Sequence, residues 1–407
     1  MRTLYTVFLR LALPFLVLRL WWRGRREPGY RESIPERFGI YTSDRPDRLL
    51  WVHAVSVGEA RAAEPLVRAL TAALPDHGIL VTCTTAAGRE TVKQVYGESA
   101  LTVFLPYDFP ETAQAFLEYF RPRLAIVMET EVWPNLLAQC AANGVPVMLA
   151  NARLSEKSAH GYRRWRSLAQ PAFASLAAVC AQSAADAERL RALGARSVEV
   201  TGNLKFDVTP DGTQVAAGAA WRKSLARPVI LLASTREGEE SMLLASRATD
   251  GRTLIVIVPR HQRRFDEVAA LADSRRSRES MPGAADRVHL GDSMGEMAFY
   301  YGACDVAIIG GSFAPLGGQN LIEALATGAP VIVGPHMYNF AEATELALQA
   351  GAAIQVADAA AAMRTALDLL SNEEKRQRMA EAGRSLCSAH RGATARHLAT
   401  CRRLLRL

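Results

Sequence analysis

Twice along the chain, short runs of uninterrupted apolar residues alternate with stretches of helical periodicity, and no other feature restricts the possible folds so much. The first series is LLWVHAV (49–55), ILVTCTT (79–85), LTVFLPY (101–107), LAIVMET (124–130) and VPVMLAN (145–151). Between its members lie helical segments such as GEARAAEPLVRALTAAL (58–74) and GRETVKQVYG (88–97). The second series is RPVILLAS (227–234), TLIVIVP (253–259), RVHLGD (287–292), DVAIIGGS (305–312), PVIVGP (330–335) and AAIQVAD (352–358). Strands that are apolar at every position are buried on both faces, so each series predicts a parallel sheet with helices on either side. No short tandem repeat is visible, which excludes a solenoid. At 407 residues the chain has room for two such domains. The Pro and Gly punctuation of 202–228 places the linker there.

Residues 4–22, LYTVFLRLALPFLVLRLWW, form an apolar run of membrane length followed by Arg23, Arg25 and Arg26. A secretory signal carries its charge before the apolar run and small residues after it, the reverse of this order. Arg10 and Arg19 count against a simple spanning helix. Nine residues apart on a helix, they point to opposite sides, so the apolar stripe is not expected to be cleanly amphipathic. The expected arrangement is a helix lying in the interface or dipping into one leaflet, with Trp21 and Trp22 at headgroup level and the arginines on anionic lipid of the cytoplasmic side. An ordinary buried first helix is the competing expectation. The six cysteines form no CxxC or finger spacing, so neither a disulfide scaffold nor a zinc site is expected, and free thiols suit a reducing cytosol. The net charge of +7 fits an anionic partner: nucleic acid, a phosphorylated substrate or acidic lipid. The arginines gather at the N-terminal run and the C-terminus without aromatic interleaving through a domain, so nucleic acid is not expected as a partner.

Ligands of doubly wound sheets bind beyond the carboxyl ends of the strands, and two such domains in tandem make a cleft. At the first strand end stand Ser56, a candidate N-cap, Gly58, which lets a ligand approach the backbone, and Glu59 in the first helical turn. Glu59 either complements the helix dipole or faces the cleft as a proton acceptor that the dipole keeps ionised. Glu129 and Glu131 follow the strand LAIVM, with Trp133, Pro134 and Asn135 behind them. Neither a histidine nor a further acid stands at ligand spacing, and the DxD pair of metal-dependent sugar transferases is missing, so a metal-free site is expected. Arg260 and His261 end a strand of the second series and suit phosphate or carboxylate, or merely a surface loop. The stretch Gly310-Gly311-Ser312-Phe313, then Gly317-Gly318-Gln319-Asn320, frees the backbone ahead of a helix whose amides attract anions, and Glu323 lies one turn in, within reach of a ribose diol. It is neither GxGxxG after a first strand nor a GK[ST] loop. With tandem α/β domains it favours a nucleotide-sugar transferase.

The runs HAVSVGE (53–59), METEVWPN (128–135), ANARLS (150–155), GNLKFD (202–207), VPRH (258–261), GDSMGEM (291–297), GGSFAPLGGQNLIEA (310–324) and GPHMYNF (334–340) resemble, in this order, those of the bacterial 3-deoxy-D-manno-octulosonic acid (Kdo) transferases of lipopolysaccharide synthesis. The likeness covers the whole chain. It implies a GT-B fold: an N-terminal anchor with its basic flank (1–30), an acceptor-binding α/β domain (31–207) and a CMP-Kdo-binding α/β domain (208–407) whose last helix can pack back on the first. It implies transfer of Kdo from CMP-Kdo to a lipid A precursor, lipid IVA, with inversion and without metal or cofactor, at the cytoplasmic face of the inner membrane. By the resemblance Glu59 matches the general base. Arg260, His261 and Glu323 match positions associated with CMP, and Lys205 should face the anionic donor. Gly317, Gly318 and Asn320 fall in the donor loop, and Ser56, Gly58, Glu129 and Glu131 on the acceptor or sugar side. Two rivals keep the same loop: a GT-B transferase or epimerase using a UDP-sugar, and a non-catalytic, membrane-tethered nucleotide-binding protein with no need of a base at Glu59.

Overall fold

A computed structural model of the chain describes residues 1–407 except 26, 44, 208, 247–250, 279 and 280. Arg26 of the basic flank and Val208 of the expected linker therefore lie outside the described residues. The chain forms two compact units, Met1–Asp207 with Arg391–Leu407, and Val208–His390.

In the first unit the described residues form a parallel sheet of β1 (Leu49–His53), β2 (Gly78–Cys83), β3 (Leu101–Phe104), β4 (Leu124–Met128), β5 (Val147–Ala152), β6 (Ala178–Ala181) and β7 (Val198–Val200), in the order β3-β2-β1-β4-β5-β6-β7. Every residue of β1 is buried. Leu49 and Trp51 join a core with Phe116, Phe120, Leu136 and Phe173, whereas Leu50 and Val52 join one on the opposite face with Leu66, Leu70 and Val92. Successive side chains point to opposite faces, so the uninterrupted apolar run is what a strand covered on both sides requires.

The second unit repeats the plan with β8 (Val229–Thr235), β9 (Leu254–Pro259), β10 (Ser274–Arg275), β11 (Val288–Leu290), β12 (Val306–Ile309), β13 (Val331–Val333) and β14 (Ala353–Gln355), ordered β10-β11-β9-β8-β12-β13-β14 and all parallel. In both sheets the chain runs outward from a central strand and then returns to that strand's other side. The switch points lie between β1 and β4 and between β8 and β12, where α/β sheets open a crevice at their carboxyl ends.

Two expectations change. The segment 202–228 is not a bare linker, since Gly212–Leu225 is a helix capped by Asp211. Gly218 lies in it because a Cβ there would meet the Phe299 carbonyl oxygen. Small or polar residues at 216–220 gave no apolar stripe to read. The N-terminal helix, Arg2–Arg23, also departs from the buried alternative, since it exposes an apolar stripe with Arg19 at its edge. Leu4, Phe8, Leu11, Phe15, Leu18 and Trp22 are all exposed and recur at three- and four-residue steps along one face. Arg10 lies off this stripe, paired with Glu111 at 3.1 Å. Only Thr6 and Leu20 of the helix are buried, with Thr6 Oγ1 2.9 Å from the donating Asn135 Nδ2. This is not a buried core helix, and it is long and apolar enough to cross a membrane.

Candidate active site

The first switch crevice gathers the acids. Ser56 caps the helix Val57–Ala73, accepting from the Glu59 backbone N–H at 3.4 Å. The Glu59 carboxylate reaches back to accept from Val55 N–H at 2.9 Å and Ser56 Oγ at 3.1 Å. This is a capping-box arrangement, so the capping reading of Glu59 is correct as far as it goes. It does not exhaust the residue. Burial, then the nearby charge of Glu129, push the Glu59 carboxyl up to about 7 against the opposing pull of the Val55 N–H, and Glu131 adds to the rise. Contrary to the expectation from the sequence, the helix dipole does not keep it firmly ionised; it is poised near neutrality, where a general base works best. A Cβ on the exposed Gly58 would find only Ser56 Oγ, at 3.9 Å, so the fold itself does not demand a glycine there.

Glu129 leaves β4 with φ at 55°, a left-handed conformation unusual for a side-chain-bearing residue. Lys205 Nζ lies 3.5 Å and Arg153 3.7 Å from its carboxylate. Lys205 thus stands within the first unit beside Glu129. Burial and then Glu129 raise the carboxyl of Glu131. Glu59, Glu129 and Glu131 therefore form one electrostatically linked group at the ends of β1 and β4.

A polar chain that sequence reasoning missed fixes this corner. Asn151, buried with φ at 52°, accepts at Oδ1 from Leu204 N–H (2.9 Å), and Asn203 Oδ1 accepts from Lys205 N–H (2.9 Å). Asn151 N–H in turn donates to His397 Nε2 at 3.0 Å. His397 Nδ1, 2.7 Å from the Ala393 carbonyl, must carry the ring proton, because that oxygen can only accept. Burial lowers His397 to about 4 and keeps it neutral. The signal available was asparagine twice near strand ends; at Asn151 the left-handed conformation favours it.

In the second unit Arg260 and His261 follow β9, and Arg260 N–H donates to the Thr235 carbonyl at the end of β8 (3.0 Å). Burial lowers His261, and the positive charges of Arg236, Arg260 and Arg263 lower it further, so three guanidinium groups act on one point. Glu237, which pairs with Arg236 and Arg263, is held down to about 2, first by its own backbone hydrogen bond and then by Arg236. Arg236 and Arg263 were not anticipated.

The glycine-rich loop differs from expectation in a way that matters for chemistry. Gly318 N–H donates to the Gly311 carbonyl (2.7 Å) and Gln319 N–H to that of Gly310 (3.0 Å). Gly311 and Phe313 N–H donate to the fully buried Glu239 carboxylate at 2.6 and 3.0 Å, as does Arg236 N–H at 3.0 Å. These amides hold the loop and are not presented to an anion. Gly317 and Gly318 have φ of 90° and 75°, and a Cβ on Gly318 would collide with Met337 Sδ. The glycines serve the turn and its packing on 336–340, where Asn339 N–H donates to the Gly317 carbonyl at 3.0 Å. Asn320 Oδ1 accepts from Ile322 N–H (3.0 Å), capping the helix Ile322–Thr327, and Glu323 sits in its first turn with its carboxyl raised by burial. The Gly318 and Gln319 amides are thus taken up within the loop, and the cations at this second crevice are side chains at the ends of β8 and β9.

A family model for 3-deoxy-D-manno-octulosonic-acid transferase matches residues 32–208, and one for glycosyl transferases group 1 matches 276–386. The chain is 47% identical to the 3-deoxy-D-manno-octulosonic acid transferase of Bordetella pertussis, with 98% of each chain covered. It is 35% identical to the enzyme of that description from Haemophilus influenzae, covering 98% of this chain and 97% of that one. Among solved structures it is similar to a UDP-GlcNAc 2-epimerase from Neisseria meningitidis, with a TM-score of 0.55 at 16% identity over 87% of this chain and 99% of the other, which bears on the fold alone. Two doubly wound, parallel α/β units, which differ only in strand order away from the switch point, are those of a GT-B glycosyltransferase. With near-complete coverage at such identity, the chain belongs to the 3-deoxy-D-manno-octulosonic acid transferase family of glycosyltransferases.

Proposed function

We propose that the protein transfers Kdo from CMP-Kdo to a hydroxyl of the lipid A precursor lipid IVA, with Glu59 as the general base. The observation that carries this reading is a carboxyl group at the β1 switch point whose proton affinity burial and two neighbouring acids raise to about 7. In the proposed reaction the acceptor oxygen attacks the anomeric carbon of Kdo from the face opposite CMP, and its proton passes to Glu59. The bond from that carbon to the phosphate oxygen breaks, CMP leaves with the electron pair, and the configuration inverts. The hydrogen bonds from Val55 N–H and Ser56 Oγ fix the direction of the Glu59 carboxylate. Arg260, with Arg236 and Arg263, is suited to the negative charge developing on the leaving phosphate, and Glu323 to the ribose hydroxyls. Lys205 and Arg153 balance Glu129, so that Glu59 is raised without being locked in its protonated form. No step calls on a metal or a cofactor. The exposed apolar face of the N-terminal helix supports a position at the cytoplasmic face of the inner membrane, where the acceptor lies.

The test is incubation of the full chain with CMP-Kdo and lipid IVA, with product mass and released CMP as readouts. Appearance of acceptor heavier by Kdo units supports the reading. Turnover of a UDP-sugar with none of CMP-Kdo would establish the rival transferase or epimerase, and binding of nucleotide without turnover the non-catalytic one.

A further inference from the structure

A second exposed surface of the first unit has the chemistry of an anionic interface. Residues 153–166, RLSEKSAHGYRRWR, carry five basic residues against one acid. They form the helix Glu156–Arg164, a break at Trp165, and the start of the helix Arg166–Ala174. Lys157, Arg163, Arg164 and Arg166 are exposed. No carboxylate lies within 4.0 Å of any of these four among the described residues, whereas Arg222, Arg264, Arg275 and Arg276 of the second unit all have one. Trp165 is 63% exposed between these cations. An indole left in water and flanked by arginines that have no carboxylate partner is costly for a merely solvated corner and suited to the headgroup layer of a bilayer. Basic and aromatic residues do interleave here, a local pattern the distribution of arginines along the chain did not reveal.

The corner is also placed where a surface would matter. Tyr162 Oη donates to the Thr130 carbonyl at 3.4 Å, tying this helix to the loop that carries Glu129 and Glu131. The helix Pro134–Ala142 packs against both the helix Arg166–Ala174 and the N-terminal helix with its exposed apolar stripe. The element that bears the cationic corner and the apolar helix are thus linked through one intervening helix.

We propose that the corner around Lys157, Arg163, Arg164, Trp165 and Arg166 is a second membrane contact, which docks on anionic phospholipid headgroups while the N-terminal helix supplies apolar attachment. The contact goes beyond the transfer reaction and stands whether or not Kdo is the sugar moved. Division of labour follows from the chemistry. The N-terminal helix binds lipid whatever its headgroup, and the corner adds an increment that depends on negative lipid and is screened by salt.

The experiment is flotation of the full chain, without donor or acceptor, on vesicles of phosphatidylcholine alone and of phosphatidylcholine with about one-third phosphatidylglycerol. The double substitution R163Q/R164Q is expected to weaken binding to the anionic vesicles by about fivefold per charge removed, some 25-fold in all, and to leave binding to neutral vesicles unchanged. High salt should weaken wild type the more and so shrink the difference between it and the double variant. Trp165→Ala is expected to weaken binding several-fold on both vesicle types. All three positions are exposed, so melting temperatures should match wild type. Unchanged binding of R163Q/R164Q to anionic vesicles, or an equal loss on neutral ones, would overturn the proposal. So would retention of a single-stranded oligonucleotide that the double substitution abolishes while vesicle binding persists, which would make nucleic acid the partner. Failure of Kdo transfer in the reaction assay leaves this readout untouched, so the two ideas fail separately.

Discussion

Glu59 serves two ends with one carboxylate. It closes a capping box at the start of a helix, and it is held at a proton affinity unusual for a glutamate. The cause is burial first and like charge second, both of which favour the neutral acid in the folded state. A carboxyl whose folded value exceeds its unfolded one contributes stability that is fully present below about 4.5 and is lost as pH rises through about 7. A shift of this size corresponds to roughly 3 kcal/mol at alkaline pH. Glu59→Gln keeps a side chain that can still accept at the cap and never ionises. The variant should therefore melt higher than wild type at pH 8, with the difference vanishing near pH 4. As a base Glu59 must be ionised, so kcat/KM of wild type should climb with pH to a plateau above about 7. In the Gln variant the rate should drop by about 10²-fold or more and lose that slope. A wild-type profile flat from pH 5 to 9, or near-normal turnover by the variant, would remove Glu59 from the reaction.

At the scale of single elements, the glycine-rich loop after β12 is held by one buried acid. Glu239 receives three backbone N–H groups, from Arg236, Gly311 and Phe313, and so joins the loops that leave β8 and β12 on either side of the switch point. Glu239→Gln replaces one accepting oxygen by a donor that faces other donors. Hydrogen bonds to a buried charged group are worth about 1.5–3 kcal/mol. The variant should melt at lower temperature and bind CMP at least about tenfold more weakly by calorimetric titration. Wild-type affinity in a folded Gln variant would detach the loop from the donor site. Sequence legibility at this scale was uneven for physical reasons. Long strands buried on both faces announced themselves by uninterrupted apolar runs, and all eleven named runs end within three residues of their strands. The exposed edge strand Val198–Val200 and the two-residue Ser274–Arg275 carry no such run, and Ala178–Ala181 lies in one made mostly of alanine, a residue depleted in strands; none of the three was read. Glu59, Glu129, Arg260 and the glycines were visible because they stand directly after strands. Glu239 and His397 were not, since their roles depend on backbone groups that only the folded chain brings near. The Gly318 and Gln319 amides, expected to face an anion, turn inward for the same reason: a sequence shows that glycines free a backbone, not which carbonyls its N–H groups then find.

Over the whole molecule, the chain leaves the first unit at Asp207 and re-enters it at Arg391. The last helix, Ala393–Leu405, is an integral part of that unit. Ala393, Cys401 and Leu405 lie in one core with Leu50, Val52, Leu66 and Met148. Asp207 caps the start of the returning segment, accepting from Gly392 N–H at 2.7 Å and from Thr394 N–H. His397 supplies the acceptor for Asn151, on which the turn bearing Lys205 rests. Seventeen residues at the far end of the chain thus support the corner where Glu129 meets Lys205. Removing residues 391–407 would expose one face of the first core and leave Asp207 and Asn151 without these partners. Loss of a few buried apolar side chains at ~1.5–3 kcal/mol each is comparable with the whole stability of a domain, about 5–15 kcal/mol. A chain ending at residue 390 should therefore become sensitive to protease within residues 1–207, while 208–390, whose core Ile230, Leu232, Ile257 and Ile308 occupy, stays resistant. His397→Ala in the full chain should show a milder form of the same lesion, with cuts confined to the first unit and reduced turnover. Mass mapping of limited digests separates the outcomes: an unaltered cleavage pattern, or cuts falling mainly in 208–390, would mean that the C-terminal helix only decorates the first unit and that the Lys205 corner stands without it.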